Sequence, residues 1–188
     1  MIYGKIIEHT TTISLLEYQE RYQHIERFMD CCRSCPNYGQ QWVCPPFDFS
    51  IQSRLKPYTQ VQIFGHQLLL LPEIRDKEYT PSQKSELIEE IMLALRQEID
   101  PIILEKERSH PHSIACYAGS CKLCPKGTCT RIQTPQKPCR YPKEIRHSLE
   151  HFGFDLSATA SELLGLPMLW SKGGYLPEYF LLISALLY

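Results

Sequence analysis

Nine cysteines in 188 residues fall into two short runs, and these runs restrict the fold more than any other feature. Cys31, Cys32, Cys35 and Cys44 form C-C-x2-C-x8-C-P-P. Cys116, Cys121, Cys124, Cys129 and Cys139 follow later, with the core C-x2-C-x4-C-x9-C. Helical and strand periodicity vanish around both. Residues 30–50 hold three prolines, Gly39 and Trp42 among the cysteines, and residues 119–141 are equally broken. The core must therefore come from the segments outside, with two irregular cysteine loops carried on it.

Those outer segments carry clear signals. Lys5 to Ser14, rich in Ile and Thr, predicts a strand, and Leu15 to Met29 predicts one amphipathic helix. Tyr58 to Leu71 predicts a strand ending in the apolar run Leu68 to Leu71, which fits a strand inside a sheet. Thr80, Pro81 and Gln83 form a helix start, with Thr80 as N-cap and Gln83 completing a capping box. Leu87, Ile88, Ile91, Met92, Leu95 and Ile99 continue at helical spacing until Pro101, where the helix should end or kink. Ser113 to Ala118 predicts a short strand. Pro142 to Phe152 predicts a short helix capped by Gly153, Ser157 to Leu164 another, and Tyr179 to Tyr188 a closing strand. The expected class is α/β or α+β: a single sheet of about four or five strands with packed helices and two inserted cysteine-rich loops. Residues 1–188 are expected to form a single metal-binding domain, the cysteine loops lying at about 30–50 and 116–141.

At 43% hydrophobic and 22% charged residues, the chain can bury a real core and does not need metal merely to fold. A net charge of −1 gives no general reason to expect DNA or an anionic membrane as partner. Met1 to Thr10 has Lys5, Glu8 and His9 and no apolar run, so it does not read as a secretory signal. The longest apolar stretch, Tyr179 to Tyr188, is about half of what a bilayer span needs. A cytoplasmic location is expected, where clustered cysteines serve as metal ligands or redox groups rather than disulfides.

In the second run, Cys121 and Cys124 can point at one metal when the chain between them turns, and Cys129 and Cys139 can complete a four-sulfur set. Zinc ribbons usually pair two C-x2-C units. Here the second pair is spread over nine residues, which suits a larger cluster whose irons each take one thiolate. Seven Lys or Arg against one acid, Glu144, lie between Ala118 and His147, and such cations offset thiolate charge. In the first run, adjacent Cys31 and Cys32 do not easily serve one compact site. Cys32, Cys35 and Cys44 are the expected ligands, and three thiolates on a four-iron cluster would leave one iron open. Alternatively Cys31 or Cys116 supplies a fourth bond, or the loop holds one structural zinc ion. Tyr38, Trp42 and Phe47 could shield a cluster or simply pack on the core. His110 with His112, and His147 with His151, are weaker candidates. Arg140, Arg146, Ser148 and Glu150 could form a polar wall near the second run.

The segments Cys32-Arg-Ser-Cys35-Pro-Asn-Tyr-Gly-Gln-Gln-Trp42-Val-Cys44-Pro-Pro-Phe47, Ala118-Gly-Ser-Cys121-Lys-Leu-Cys124 and Cys139-Arg-Tyr-Pro142 resemble a family of predicted metal-binding proteins, domain of unknown function 2284. Arg146-His-Ser148-Leu-Glu150-His-Phe-Gly153-Phe-Asp155 resembles it further. The resemblance covers most of Asp30 to Leu166. It implies cysteine-bound metal and assigns no reaction.

The leading expectation is one or two iron–sulfur clusters, of the [4Fe-4S] type, with an electron-transfer or cluster-dependent redox role and a redox partner protein; the chain could be a component of an iron–sulfur oxidoreductase. The rival is a zinc-stabilised, non-catalytic module that presents Arg and Lys to a protein or RNA partner. If the two loops meet in space, seven or more thiolates could serve one shared site.

Overall fold

The computed structural model describes residues 4–188. The readings that fall on residues 1–3 lie outside the described residues. Strands β1 (Ile6–Ser14), β2 (Gln60–Leu69), β3 (Ile114–Cys116) and β4 (Tyr179–Leu187) form one open sheet in the order β1-β2-β4-β3, with every neighbouring pair antiparallel. The class is α+β.

Side chains alternate across this sheet. Val61 and Ile63 of β2 join Ile183, Ala185 and Leu187 of β4 on one face; Phe64 and Leu68 join Leu182 and Leu186 on the other. Both faces are covered, which is why β4 reads as a nearly continuous apolar run and β2 carries apolar residues on both sides. Helices α1 (Leu15–Tyr22), α3 (Ile51–Leu55) and α7 (Leu156–Leu163) pack on the first face, and the long α5 (Pro81–Ser109) on the second. Each large side chain so buried contributes roughly 1.5–3 kcal/mol. No helix among the described residues is long and apolar enough to cross a membrane.

The capping box that starts α5 is present: Gln83 N donates to Thr80 Oγ1, and Thr80 N donates to Gln83 Oε1 at 3.1 Å. The helix does not stop at Pro101 but runs through it to Ser109. Pro101 is exposed, and so is Gln97, whose carbonyl loses its helical partner there and can turn to water. Ile91, Leu95, Ile99 and Ile103 stay buried on the opposite side.

Leu15 to Met29 is two helices, not one. The chain breaks at Gln23 and His24, and α2 (Ile25–Arg33) follows, so that Cys31 and Cys32 sit on its last turn. Tertiary pairing causes the break. Gln23 bridges Phe154, His24 N donates to Gly153 O at 2.7 Å, and Asp155 N donates to Tyr22 O at 2.8 Å. Gly153 is required here: its φ is +85°, and a Cβ would meet Ile25 Cα at 2.7 Å.

The expected helix from Pro142 is absent; only a 3₁₀ turn, Leu149–Phe152, forms in that segment. Long-range partners hold 142–148 out of helical geometry. Tyr117 N donates to His147 O at 3.0 Å, and Arg146 Nε reaches Glu107 Oε2 of α5 at 2.6 Å. Glu107 also accepts from Ala115 N at 2.6 Å, so one carboxylate ties α5, β3 and this segment together. The short α4 (Pro72–Arg75) and the one-turn α6 (Thr130–Gln133) lie in the connections.

Burial pushes the Glu107 carboxyl up, but the Arg146 guanidinium and the Ala115 N–H together outweigh it, and the net direction is down. Its stabilisation is therefore present above the ordinary glutamate pKa, near about 4.3, and is lost as pH falls through the lower folded value. Glu107→Gln should cost about 3 kcal/mol at neutral pH, as expected when a buried pair loses one member. Urea denaturation at pH 7 and pH 4 checks this: the deficit should shrink in acid.

Candidate metal centre

The first cysteine loop begins on the last turn of α2. Cys35 N donates to Cys32 O and Tyr38 N to Cys35 O, both at 3.0 Å, so the chain coils back on itself after the helix. Gly39, at φ +69°, donates to Pro45 O at 2.8 Å and closes the loop around Cys44. The result is a cavity of about 330 Å³ lined by Cys31, Cys32, Cys35 and Cys44 together with Glu150 and His151. Cys31 and Cys35 are exposed at its mouth and Cys44 is buried. Burial, then the neighbouring Cys35 and Cys32, push the Cys44 thiol up to about 12. Burial, then Cys35 and Glu150, push the Cys32 thiol up as well. Such thiols give up their protons when a cation replaces them.

The second loop leaves β3 and surrounds a larger cavity of about 860 Å³, lined by Cys121, Cys124, Cys129 and Cys139. Burial raises Cys121 and Cys139. Backbone N–H groups point at sulfur two residues back in both loops: Asn37 N donates to Cys35 Sγ at 3.4 Å and Tyr141 N to Cys139 Sγ at 3.3 Å. Arg140 Nη1 lies 3.8 Å from Cys124 Sγ.

The two loops adjoin. Asn37 and Ser120 line both cavities. Gln41 joins the loops: Cys121 N donates to its Oε1 at 2.9 Å, and its Nε2 donates to Cys121 O at 3.3 Å. Arg131 of α6 reaches into the first loop and donates to the carbonyls of Gln41 at 2.6 Å, Pro46 at 2.7 Å, and Cys44. Trp42 Nε1 donates to Thr130 Oγ1 at 2.9 Å, so this aromatic is a strut between loops. Phe47 stacks on Phe49 and packs against the core. Arg96, buried on α5, pairs with Asp100 at 2.6 Å and donates to the carbonyls of Ser120, at 3.0 Å, and Ala118, fixing the approach to Cys121.

Cys116 is fully buried within the core cluster beneath α1 and lines neither cavity, so it is not the fourth ligand of the first site. His110 and His112 are exposed and line neither cavity. His147 Nδ1 donates to Val43 O at 2.9 Å, while His151 faces the first cavity. His151 Nδ1 accepts from Ser148 N at 3.2 Å, so the proton of the neutral ring sits on Nε2, 3.9 Å from Cys44 Sγ. Burial, then His147 and Arg96, push this imidazole down to about 4, which keeps it neutral. Glu150 lines the first cavity and not the second, Ser148 lines neither, and Arg146 is taken up by Glu107. Gln41 and Arg96 carry no recognisable motif. The one hint was an arginine on the apolar stripe of α5, four residues before Asp100.

Two thiol-lined cavities on an open α+β sheet carry the residue type that soft metals favour. The chain belongs to the family of predicted metal-binding proteins termed domain of unknown function 2284, whose model matches residues 19–187. Comparison with curated proteins and with solved structures finds no match. The residues fit a metal: the donors are soft thiols, two of them with backbone N–H groups directed at sulfur. Among the described residues, no three His, Cys, Asp or Glu side chains converge on a point that a single ion could fill.

Arg131 should be essential to the shape of the first loop. Arg131→Lys keeps the charge but cannot serve three carbonyls, and should destabilise the protein by about 2 kcal/mol. Metal should then pass from the first loop to a chelator faster than in wild type; an unchanged release rate would show that the loop holds its shape without the clamp.

Proposed function

We propose that this chain is an iron–sulfur protein with an electron-transfer or cluster-dependent redox role. Cys121, Cys124, Cys129 and Cys139 hold one [4Fe-4S] cluster, and Cys32, Cys35 and Cys44 hold a second. The observation that carries the reading is the spread of the thiols: each set rings a cavity instead of closing on one point. A tetrahedral zinc ion needs four donors about 2.3 Å from one centre, whereas a cluster takes each thiolate on a different iron. The N–H···S contacts at Cys35 and Cys139 support it as well, since such donors set cluster potentials.

When bound, the clusters supply one-electron transfer. The residues hold and tune them. Arg140 and the backbone N–H groups offset thiolate charge, Tyr38 and Pro45 wall the first cavity, and His151 directs its Nε2 proton toward Cys44. The second site passes electrons from a redox partner protein, and the first meets a small molecule or partner. Part of the basic run that the rival interaction module would present is engaged in contacts within the chain. Arg131 serves carbonyls, Arg140 serves Thr128 O and Gln133, Arg146 serves Glu107, and Lys126 pairs with Glu89 at 3.0 Å.

Protein purified without oxygen should show broad visible absorption and roughly eight iron and eight sulfide per chain. Stoichiometric zinc with no sulfide and no visible band would overturn the reading and favour the structural module.

A further inference from the structure

The second cavity differs from the first in what surrounds its cysteines. Among the described residues nine large apolar side chains are exposed, and three of them, Leu93 of α5, Ile132 of α6 and Tyr141, line the second cavity. None of the nine lines the first. The three come from separate stretches of chain, so the fold gathers them. Exposed apolar side chains scattered singly are ordinary, whereas a group around one opening marks a contact surface.

Charge separates the two openings in the same way. Lys122 and Lys126 line the second cavity, and no Lys or Arg lines the first. Glu89 is the one acid lining the second cavity among the described residues, and Lys126 holds it at 3.0 Å. Lys137 and Lys143 are exposed, two residues from Cys139 and from Tyr141 respectively, and neither has an ion-pair partner among the described residues. Cys121, Cys124, Cys129 and Cys139 are each partly exposed, so metal held by them lies close beneath this surface.

An apolar centre within a charged rim is the make-up of a protein–protein contact. The rim is cationic, so the complementary partner is acidic. Nucleic acid would suit the lysines, but the chain carries a net charge of −1 and apolar side chains share the opening. We propose that the face around the second cavity, centred on Leu93, Ile132 and Tyr141 and rimmed by lysines, docks a small acidic one-electron carrier protein. This rests on the iron–sulfur reading of that site. One electron leaves the carrier's reduced centre and enters the cluster; the carrier is oxidised by one electron, the cluster is reduced by one, and no bond forms or breaks.

The probe is reduced flavodoxin, a small acidic flavin protein, and the control is photoreduced deazaflavin, a small neutral donor. Each is mixed with the full-length protein purified without oxygen, and reduction is followed in the visible band. Transfer from flavodoxin should slow about tenfold between low and physiological salt, as steered encounters do. Lys137→Glu combined with Lys143→Glu should slow it about tenfold at low salt and flatten the salt dependence. Ile132→Ser should slow it at every salt concentration, which separates the apolar centre from the rim. The deazaflavin rate and the iron content should stay at wild-type values in both variants, which separates docking from damage to the cluster. Flavodoxin rates that ignore salt, or that match wild type in both variants, overturn the inference alone. So does protein that deazaflavin reduces and flavodoxin does not: a bound single-stranded RNA oligonucleotide would then assign the face to nucleic acid, and a dimer that Ile132→Ser separates would assign it to a second copy. Should either variant lose iron, the salt dependence of the wild type decides. Wild-type protein free of iron and sulfide overturns this inference together with the reading beneath it.

Discussion

Everything at the candidate centre depends on how one cysteine loop is clamped to the other. Neither loop has regular structure of its own, and each must satisfy its backbone groups elsewhere. Gln41 pairs with both the N–H and the carbonyl of Cys121 as a strand neighbour would. Arg131 gathers three carbonyls of the first loop with one guanidinium. A guanidinium suits this task because its donors are fixed in one plane and stay charged. Without these contacts the loops would be two separate tethers. With them, the loops adjoin, and Asn37 and Ser120 line both cavities.

The same arrangement handles charge. Burial first, and neighbouring cysteines second, push the Cys32, Cys44, Cys121 and Cys139 thiols up, which expresses the cost of holding charged sulfur there. Metal removes it, and the surrounding donors lower what remains: backbone N–H groups on Cys35 and Cys139, Arg140 beside Cys124, the imidazole of His151 beside Cys44. The α+β body supplies rigidity. Arg96 projects from α5 to fix the start of the second loop, and the Gly153 turn seats Glu150 and His151 against the first.

Features set by local chemistry were legible in the sequence. The Thr80–Gln83 capping box needs only neighbours in the chain, and strands β2 and β4 announce themselves through apolar residues on both faces. Features set by distant partners were not. Leu15 to Met29 has unbroken helical spacing, yet pairing of Gln23 with Phe154 splits it. Pro142 to Phe152 has a helix's start and stop, yet Glu107 and Tyr117 pull it straight. Pro101 should have ended α5, but it faces water, where a lost hydrogen bond is tolerated. The cysteine spacing marked both loops and set Cys116 only in the balance; its place in the core follows from strand alternation in β3. Gln41 is neutral and has no motif, so only the fold reveals it. Glu150 read as one member of a polar wall beside the second loop, and the 3₁₀ turn places it at the first.

The central claim is that two metal clusters sit side by side in one clamped unit. EPR of the anaerobically reduced protein tests this directly, because unpaired spins on adjacent clusters broaden and split one another's signals. The account predicts an interacting spectrum that collapses to a simple single-cluster signal when Cys121 and Cys124 are both changed to Ala. Two independent, unsplit signals in the wild type, or a spectrum unaffected by that change, would contradict it.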